Sequence, residues 1–191
     1  MNKDECSFLA LAVHKDEPAS IDRLVNCFQD MLYTYACALV RNRFDAQEVT
    51  QDTFVRAIDS LRAKYSETQC RDLLLRPWLF RITRNLAMNR RRSRRRNHES
   101  DQEISDDLAD MNVLPDEQLV GENRRRRVHL AIDRLDASGR EMIVLRFVDE
   151  LSYKEIAQIS ALTEASVRGK VFRSLQKLKS IMRKMEADDG L

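Results

Sequence analysis

Only 4 glycines and 3 prolines punctuate a chain of 191 residues, and between them apolar side chains recur at spacings of three and four. Glycine and proline break helices and shape tight turns, so a chain poor in both is built from long helices rather than from turn-rich sheets. Ile21, Leu24, Val25, Phe28, Leu32, Tyr35, Ala36 and Leu39 form one such stripe, predicting a helix from a Ser20 cap to about Arg43. Asp45 with Glu48 three residues on reads as an N-cap and its N3 partner. The helix they open, to about Leu61, buries Val49, Thr53, Ala57, Ile58 and Leu61 and shows Glu48, Gln51, Asp52 and Asp59 outward. Residues 62–76 lose the period and read as a loop. Pro77 suits the first position of a third helix, which buries Trp78, Leu79, Ile82 and Leu86 and turns Arg81, Arg84, Asn85, Met88, Arg91 and Arg92 the other way.

Helical period lapses over residues 97–116, and six acids crowd residues 99–110, the composition of a flexible linker. It returns near Glu117 with Leu119, Val120, Val128, Ala131, Ile132 and Leu135. A break at Ala137, Ser138 and Gly139 precedes a helix with Met142, Ile143, Leu145 and Phe147 inside. Ser152 and Glu155 then form a capping box, a turn falls at Ser160, Ala161 and Leu162, and Thr163 caps a longer helix. A short helix, a three-residue turn and a basic second helix make a helix-turn-helix. The predicted fold class is all-α: two small helical bundles joined by a flexible acidic linker. Its parts are an extension (1–19), a first bundle (20–96), the linker (97–116), a second bundle (117–186) and a tail (187–191).

The formal net charge is only +2, but the basic residues come in blocks: RRRSRRR over residues 90–96, RRRR over 124–127, and seven Lys/Arg with no acid from Ser166 to Lys184. Segregated basic blocks on a nearly neutral chain point to a polyanion met by particular surfaces, against the plainer reading of solvated faces. On the last helix Val167, Val171, Ser174, Leu175 and Leu178 fall on the inner side. Arg168, Gly169, Phe172, Arg173 and Gln176 fall outside. An outward Phe between two Arg suits a major groove, where Arg reads guanine edges or phosphates and Phe meets a thymine methyl. An unplaced helix covering Phe172 is the alternative. The face around Asn85 is a second basic surface, suited to unpaired DNA where aromatics lie near.

Enzymatic chemistry finds little support. Glu48 and Asp52 lie four apart on one face, but no histidine or third carboxylate converges on them, and acids are ordinary at a helix start. Cys6, Cys27, Cys37 and Cys70 show no metal-ligand or CxxC spacing and read as reduced thiols of a cytosolic protein. No metal, cofactor or catalytic residue is expected. The apolar run from Phe8 to Val13 is too short for a secretory or membrane-spanning segment, so the expected location is the cytoplasm, without membrane insertion.

Three stretches together resemble the extracytoplasmic-function (ECF) sigma factors, the two-domain members of the sigma-70 family. DAQEVTQDTFVR (Asp45 to Arg56) is similar to that family's AED-LTQETF-R signature in region 2, and PWLFRITRN (Pro77 to Asn85) to its W-L-x-x-I-A-x-N signature. Leu135 to Leu178 is similar to region 4, with EIA at Glu155 to Ala157 and SVRGKVFR at Ser166 to Arg173. The resemblance implies a non-enzymatic factor that directs core RNA polymerase to promoters. It implies that Glu48, Gln51, Asp52 and Phe54 contact the polymerase beta and beta-prime subunits. Tyr65, Arg81, Arg84, Asn85, Asn89 and Arg92 would hold the melted −10 strand, and Arg168, Gly169, Lys170, Phe172 and Arg173 would read the −35 duplex. An anti-sigma factor is the further partner implied. The 22 residues from 97 to 118 reach about 70 Å extended, enough to join the two elements.

The chain departs from the family at four positions: Asp136 replaces a usual Pro, Ala161 a turn Gly, Asn89 an Asp and Gly169 a Ser. Two other readings stay open. One is a stand-alone helix-turn-helix regulator, which would footprint DNA without polymerase. The other is a DNA-processing enzyme using Glu48 and Asp52.

Overall fold

The computed structural model describes residues 3–98 and 119–188, and every regular element in them is a helix. The chain divides into two compact units. The helices α1 (Lys3–His14), α2 (Ser20–Val40), α3 (Arg43–Ala63), α4 (Glu67–Asp72) and α5 (Leu75–His98) build the first. The helices α6 (Leu119–Asp133), α7 (Ala137–Ile143), α8 (Tyr153–Ser160) and α9 (Glu164–Asp188) build the second, with a π-helical turn at Val144–Val148 after α7. The expected linker lies outside the described residues from 99 onward, and α5 runs to His98, past the expected boundary at 96. No helix among the described residues is long and apolar enough to cross a membrane.

In the first unit α2, α3 and α5 pack on one another around Leu24, Phe28, Leu32, Tyr35, Leu61, Leu79 and Phe80, all fully buried. Phe80, absent from the expected inner stripe, meets Tyr35 at 5.1 Å between ring centroids. Trp78 and Ile82, expected inside, are only half-buried. Thr53 and Thr83 join α3 to α5 by a buried 3.1 Å hydrogen bond between their hydroxyls; with one proton each, one donates to its partner while the other donates to the carbonyl four residues back. These two hydroxyls need no water.

Several helix ends differ from expectation. Ser20 is the first helical residue and buried, while Ala19 ahead of it takes left-handed backbone (φ 57°) and makes no side-chain cap. Asn42, not Asp45, caps α3: its side chain accepts from the Asp45 amide at 3.0 Å. Asp45 is thereby freed to point into the bundle. The supposed loop 62–76 holds α4, opened by a capping box between Ser66 and Gln69, an S-x-x-Q signal that the sequence does carry. Pro77 lies in the first turn of α5 rather than at its first residue, where a missing N–H costs no helical bond.

Residues 1–19, set apart in the sequence as an extension, contain α1. Its Leu9, Ala10, Ala12 and Val13 are buried against the other helices of the first unit. At its end His14 donates to the Leu61 carbonyl at 2.8 Å, Asp16 pairs with Arg62 and Lys15 with Glu67 at 3.1 Å.

In the second unit the break precedes Ala137, and Ala137, Ser138 and Gly139 are already helical. A Cβ on Gly139 would stand 3.1 Å from Ser174 Oγ and 3.0 Å from Asp136 Oδ1, so glycine is what lets α7 approach α9 this closely. The π-helical turn changes the period, which leaves Phe147 and Val148 about half exposed where an inward Phe147 was expected. Arg140 is buried and donates to Ile132 (3.4 Å) and Asp133 (3.0 Å) at the end of α6 and to Leu135 (3.0 Å) just after it.

The helix-turn-helix follows expectation. Ser152 and Glu155 form the reciprocal capping box of α8, and Thr163 Oγ1 accepts from the Ser166 amide at 3.2 Å. Ala161, at the turn, has φ 54° and ψ 41°, the left-handed region that crowds a Cβ. Ala161→Gly is therefore expected to raise the stability of the second unit by about 0.5–1 kcal/mol. Thermal unfolding checks it, and an unchanged or lowered midpoint would show that the turn carries no strain.

Candidate nucleic-acid and partner surfaces

Three surfaces emerge from these helices. The first is the exposed side of α3. With residues three and four apart stacking on one helical face, Phe44, Glu48, Gln51, Asp52 and Val55 form a single solvent-facing stripe. Phe44 is 77% and Val55 57% exposed. Phe54, which the sequence motif put on this surface, points the other way into the core at 7% exposure. It shares the buried face with Thr50, Ala57 and Leu61, four, three and seven residues away. Phe44 and Val55, not singled out in the sequence, supply the stripe's apolar area.

Glu48 is not free on that stripe. Arg90 of α5 reaches it at 2.6 Å and reaches Asp45 at 2.9 Å, while Arg94 lies 3.0 Å from the other Asp45 oxygen. The Asp45 side chain is 7% exposed. Its hydrogen bond is the main cause that raises the Arg90 pKa above that of an ordinary arginine, opposed by desolvation. Two of the six arginines in the 90–96 block thus neutralise carboxylates within the fold. Gln51 and Asp52 stay exposed.

The second surface is a groove of about 480 Å³ between α3, α5 and the segment joining α3 to α4, lined by Arg56, Lys64, Tyr65, Trp78, Asn85 and Asn89 among others. Trp78 and Tyr65 meet edge to face, with centroids 5.5 Å apart and planes at 71°. Two amides, two aromatics and two cations thus line one concavity. Of the residues expected to handle unpaired DNA, Tyr65, Asn85 and Asn89 meet there. Arg81 and Arg92 are exposed on the same turns of α5 without lining the groove, and Arg84 lies half-buried off that face. Trp78, expected in the core, is instead part of the groove wall.

The third surface is the outer face of α9. Val167, Val171, Ser174 and Leu178 are buried as expected. Arg168 and Arg173 are exposed, and Phe172 is 62% exposed, so no helix of its own unit covers it. Arg168 pairs with Glu164 at 2.8 Å and lies over the Tyr153 ring. Lys170 departs from expectation: it turns back to donate to Ser138 Oγ of α7 at 3.1 Å. Gly169 has helical backbone, and a Cβ there would meet nothing closer than an Arg173 nitrogen at 3.4 Å, so no steric demand explains glycine at this position.

Cys37 and Cys70 are buried, and burial pushes both thiols above the ordinary cysteine range, which makes them packing residues rather than nucleophiles. Among the described residues no three His, Cys, Asp or Glu side chains gather as a metal site.

Comparison with known proteins places the chain in a family. Residues 24–97 match the family described as Sigma-70 region 2, and residues 125–178 match Sigma-70, region 4. The RNA polymerase sigma factor CnrH of Cupriavidus metallidurans is 30% identical over 145 residues, covering 72% of this chain and 73% of that protein. The ECF RNA polymerase sigma factor SigW of Bacillus subtilis is 27% identical over 185 residues, covering 90% and 93%. Among solved structures, CnrH in complex with the cytosolic domain of CnrY is similar at TM-score 0.67 and 24% identity, over 95% of this chain and 99% of that one. The sigma factor RpoE in complex with the anti-sigma factor NepR, from Bartonella quintana, reaches 0.69 at 21% identity, over 86% and 98%. At these identities the two structures speak for the fold.

Proposed function

The chain belongs to the sigma-70 family, in its extracytoplasmic-function branch, and on that premise we propose how its three surfaces divide the work of directing core RNA polymerase to promoters. The stripe on α3 docks core polymerase, with Gln51 and Asp52 as exposed polar contacts, Phe44 and Val55 as the apolar ones and Glu48 shared with Arg90. The groove of the first unit takes an unpaired −10 base. The outer face of α9 meets the −35 duplex. Residues 20–96 and 117–186 are thus region 2 and region 4, with α1 completing the former. An anti-sigma partner, as in the RpoE structure, fits the same reading, as does a site of action in the cytoplasm.

The observation that carries this division is the groove that gathers Tyr65, Trp78, Asn85 and Asn89. Aromatic faces stack on any base and amides hydrogen-bond base edges. Duplex DNA hides the base faces within its stack, so the stacking that these aromatics offer is available only after strands separate. A non-enzymatic role follows, because binding the displaced base is itself what favours opening.

Asn85→Ala is expected to reduce promoter opening while leaving closed-complex affinity within about twofold. Transcription from a promoter library with core polymerase, together with permanganate reactivity of thymines at the start site, checks both. Equal loss of closed and open complexes would make Asn85 structural. A footprint on promoter DNA by the chain alone, undiminished without core polymerase, would favour the stand-alone regulator.

A further inference from the structure

We propose that Tyr153 is a positioning residue for Arg168: its ring, on the first helix of the helix-turn-helix, holds the guanidinium that the second helix offers to DNA. The inference rests on the −35 reading of α9 and adds a residue to it. Arg168 Cζ lies 4.6 Å from the Tyr153 ring centroid. The ring is itself braced, because Arg146 Cζ lies 5.1 Å from the same centroid and Arg146 is anchored by a 3.1 Å hydrogen bond to the Leu151 carbonyl. Tyr153 is half-buried at the capped start of α8, whose Ser152–Glu155 box fixes the backbone beneath it. The ring therefore has little freedom of its own.

An arginine as exposed as Arg168, whose side chain is 60% accessible, ordinarily samples many rotamers, and ordering it on binding opposes affinity. Reading a guanine edge also needs the guanidinium plane fixed, because both hydrogen bonds lie in that plane. Two groups restrain Arg168 here, and they differ in kind. Glu164 takes one in-plane donor and carries a negative charge toward a polyanion, so it competes with DNA. The Tyr153 ring is neutral and holds the guanidinium over its own π face, 4.6 Å from the centroid, so it carries no charge that opposes a polyanion. Only the ring can keep its hold while a base is read.

The test uses the full chain with core polymerase and a duplex library randomised at the −35 element, comparing wild type, Arg168→Ala, Tyr153→Leu and Tyr153→Phe. Arg168→Ala should erase preference at particular positions. Tyr153→Leu should narrow discrimination at those same positions by about two- to fivefold, the scale of an exposed cation–π contact. The salt slope should not move, because no phosphate contact is lost. Tyr153→Phe should retain wild-type preference. In the free protein, NMR should find the Arg168 side-chain protons shifted upfield by the ring in wild type and Tyr153→Phe, and not in Tyr153→Leu.

Absence of that shift in wild type overturns the proposal whatever the variants do. If Arg168→Ala alters preference and a folded Tyr153→Leu does not, the positioning role fails and the −35 reading survives. If Arg168→Ala alters nothing, both fail. If Tyr153→Phe behaves as Tyr153→Leu does, the hydroxyl acts rather than the ring, and the proposal is overturned.

Discussion

Replacing Phe80 by alanine should lower the stability of the first unit by about 3–5 kcal/mol, the usual cost of removing a buried phenyl ring from a packed core. Phe80 is fully buried and its ring centroid lies 5.1 Å from that of Tyr35, so the change empties space that α2 and α5 cannot close by small shifts. Phe80→Leu keeps most of the volume and should cost about 1.5 kcal/mol or less. The chain has 1 tryptophan, Trp78, which lies in this unit. Its fluorescence during urea unfolding therefore reports on this unit directly. An alanine variant within 1 kcal/mol of wild type would mean that the Tyr35–Phe80 pair is not central to the core.

The second large effect is expected at Arg140. Its guanidinium donates to two carbonyls at the end of α6 and to that of Leu135 just beyond it, where helix carbonyls lack intrahelical partners and the dipole favours a cation. Arg140→Met keeps the buried stem and removes the donors, stranding acceptors that water reaches poorly. A loss of about 2–4 kcal/mol follows, read as faster amide exchange in α6 to α9 by roughly two orders of magnitude. Arg140→Lys should recover only part, since an ammonium cannot copy the planar fork of donors. Exchange within threefold of wild type in the methionine variant would show that packing alone closes the α6–α7 corner.

These two residues also mark what a sequence can and cannot disclose. Periodicity located α2, α3, α5 and α9, because each buries a stripe that repeats at helical spacing. It missed Phe80 because α5 packs on α2 and α3 together, so its buried arc is wider than one stripe. It misjudged Phe54 for a related reason: a motif names residues in a row, while a helix sends neighbours to opposite sides. Arg140 could not be found at all, being one cation in a strongly charged chain, distinguished only by carbonyls that the fold brings to it. Asp45 was visible as a helix-start acid, yet its partners Arg90 and Arg94 lie 45 and 49 residues away. The strain at Ala161 was legible, because a turn that favours glycine held alanine. Of the three surfaces, the α9 face was the most readable, since its caps, turn and charge are all local. The groove was only half readable, because the wall supplied by Trp78 depends on how α3 and α5 cross.

The partition of contacts also has a consequence in time. Helices α1 to α5 pack among themselves, and α6, α7 and α9 do likewise. Helical units of this kind, rich in local contacts, fold in microseconds to milliseconds. A ribosome adds about 5–20 residues per second, so α1 to α5 can finish folding while most of the second unit is still unmade. The 93 residues after His98 take about 5–20 s to follow. Each nascent molecule therefore passes through an interval in which its amino-terminal half is folded and its carboxyl-terminal half does not yet exist.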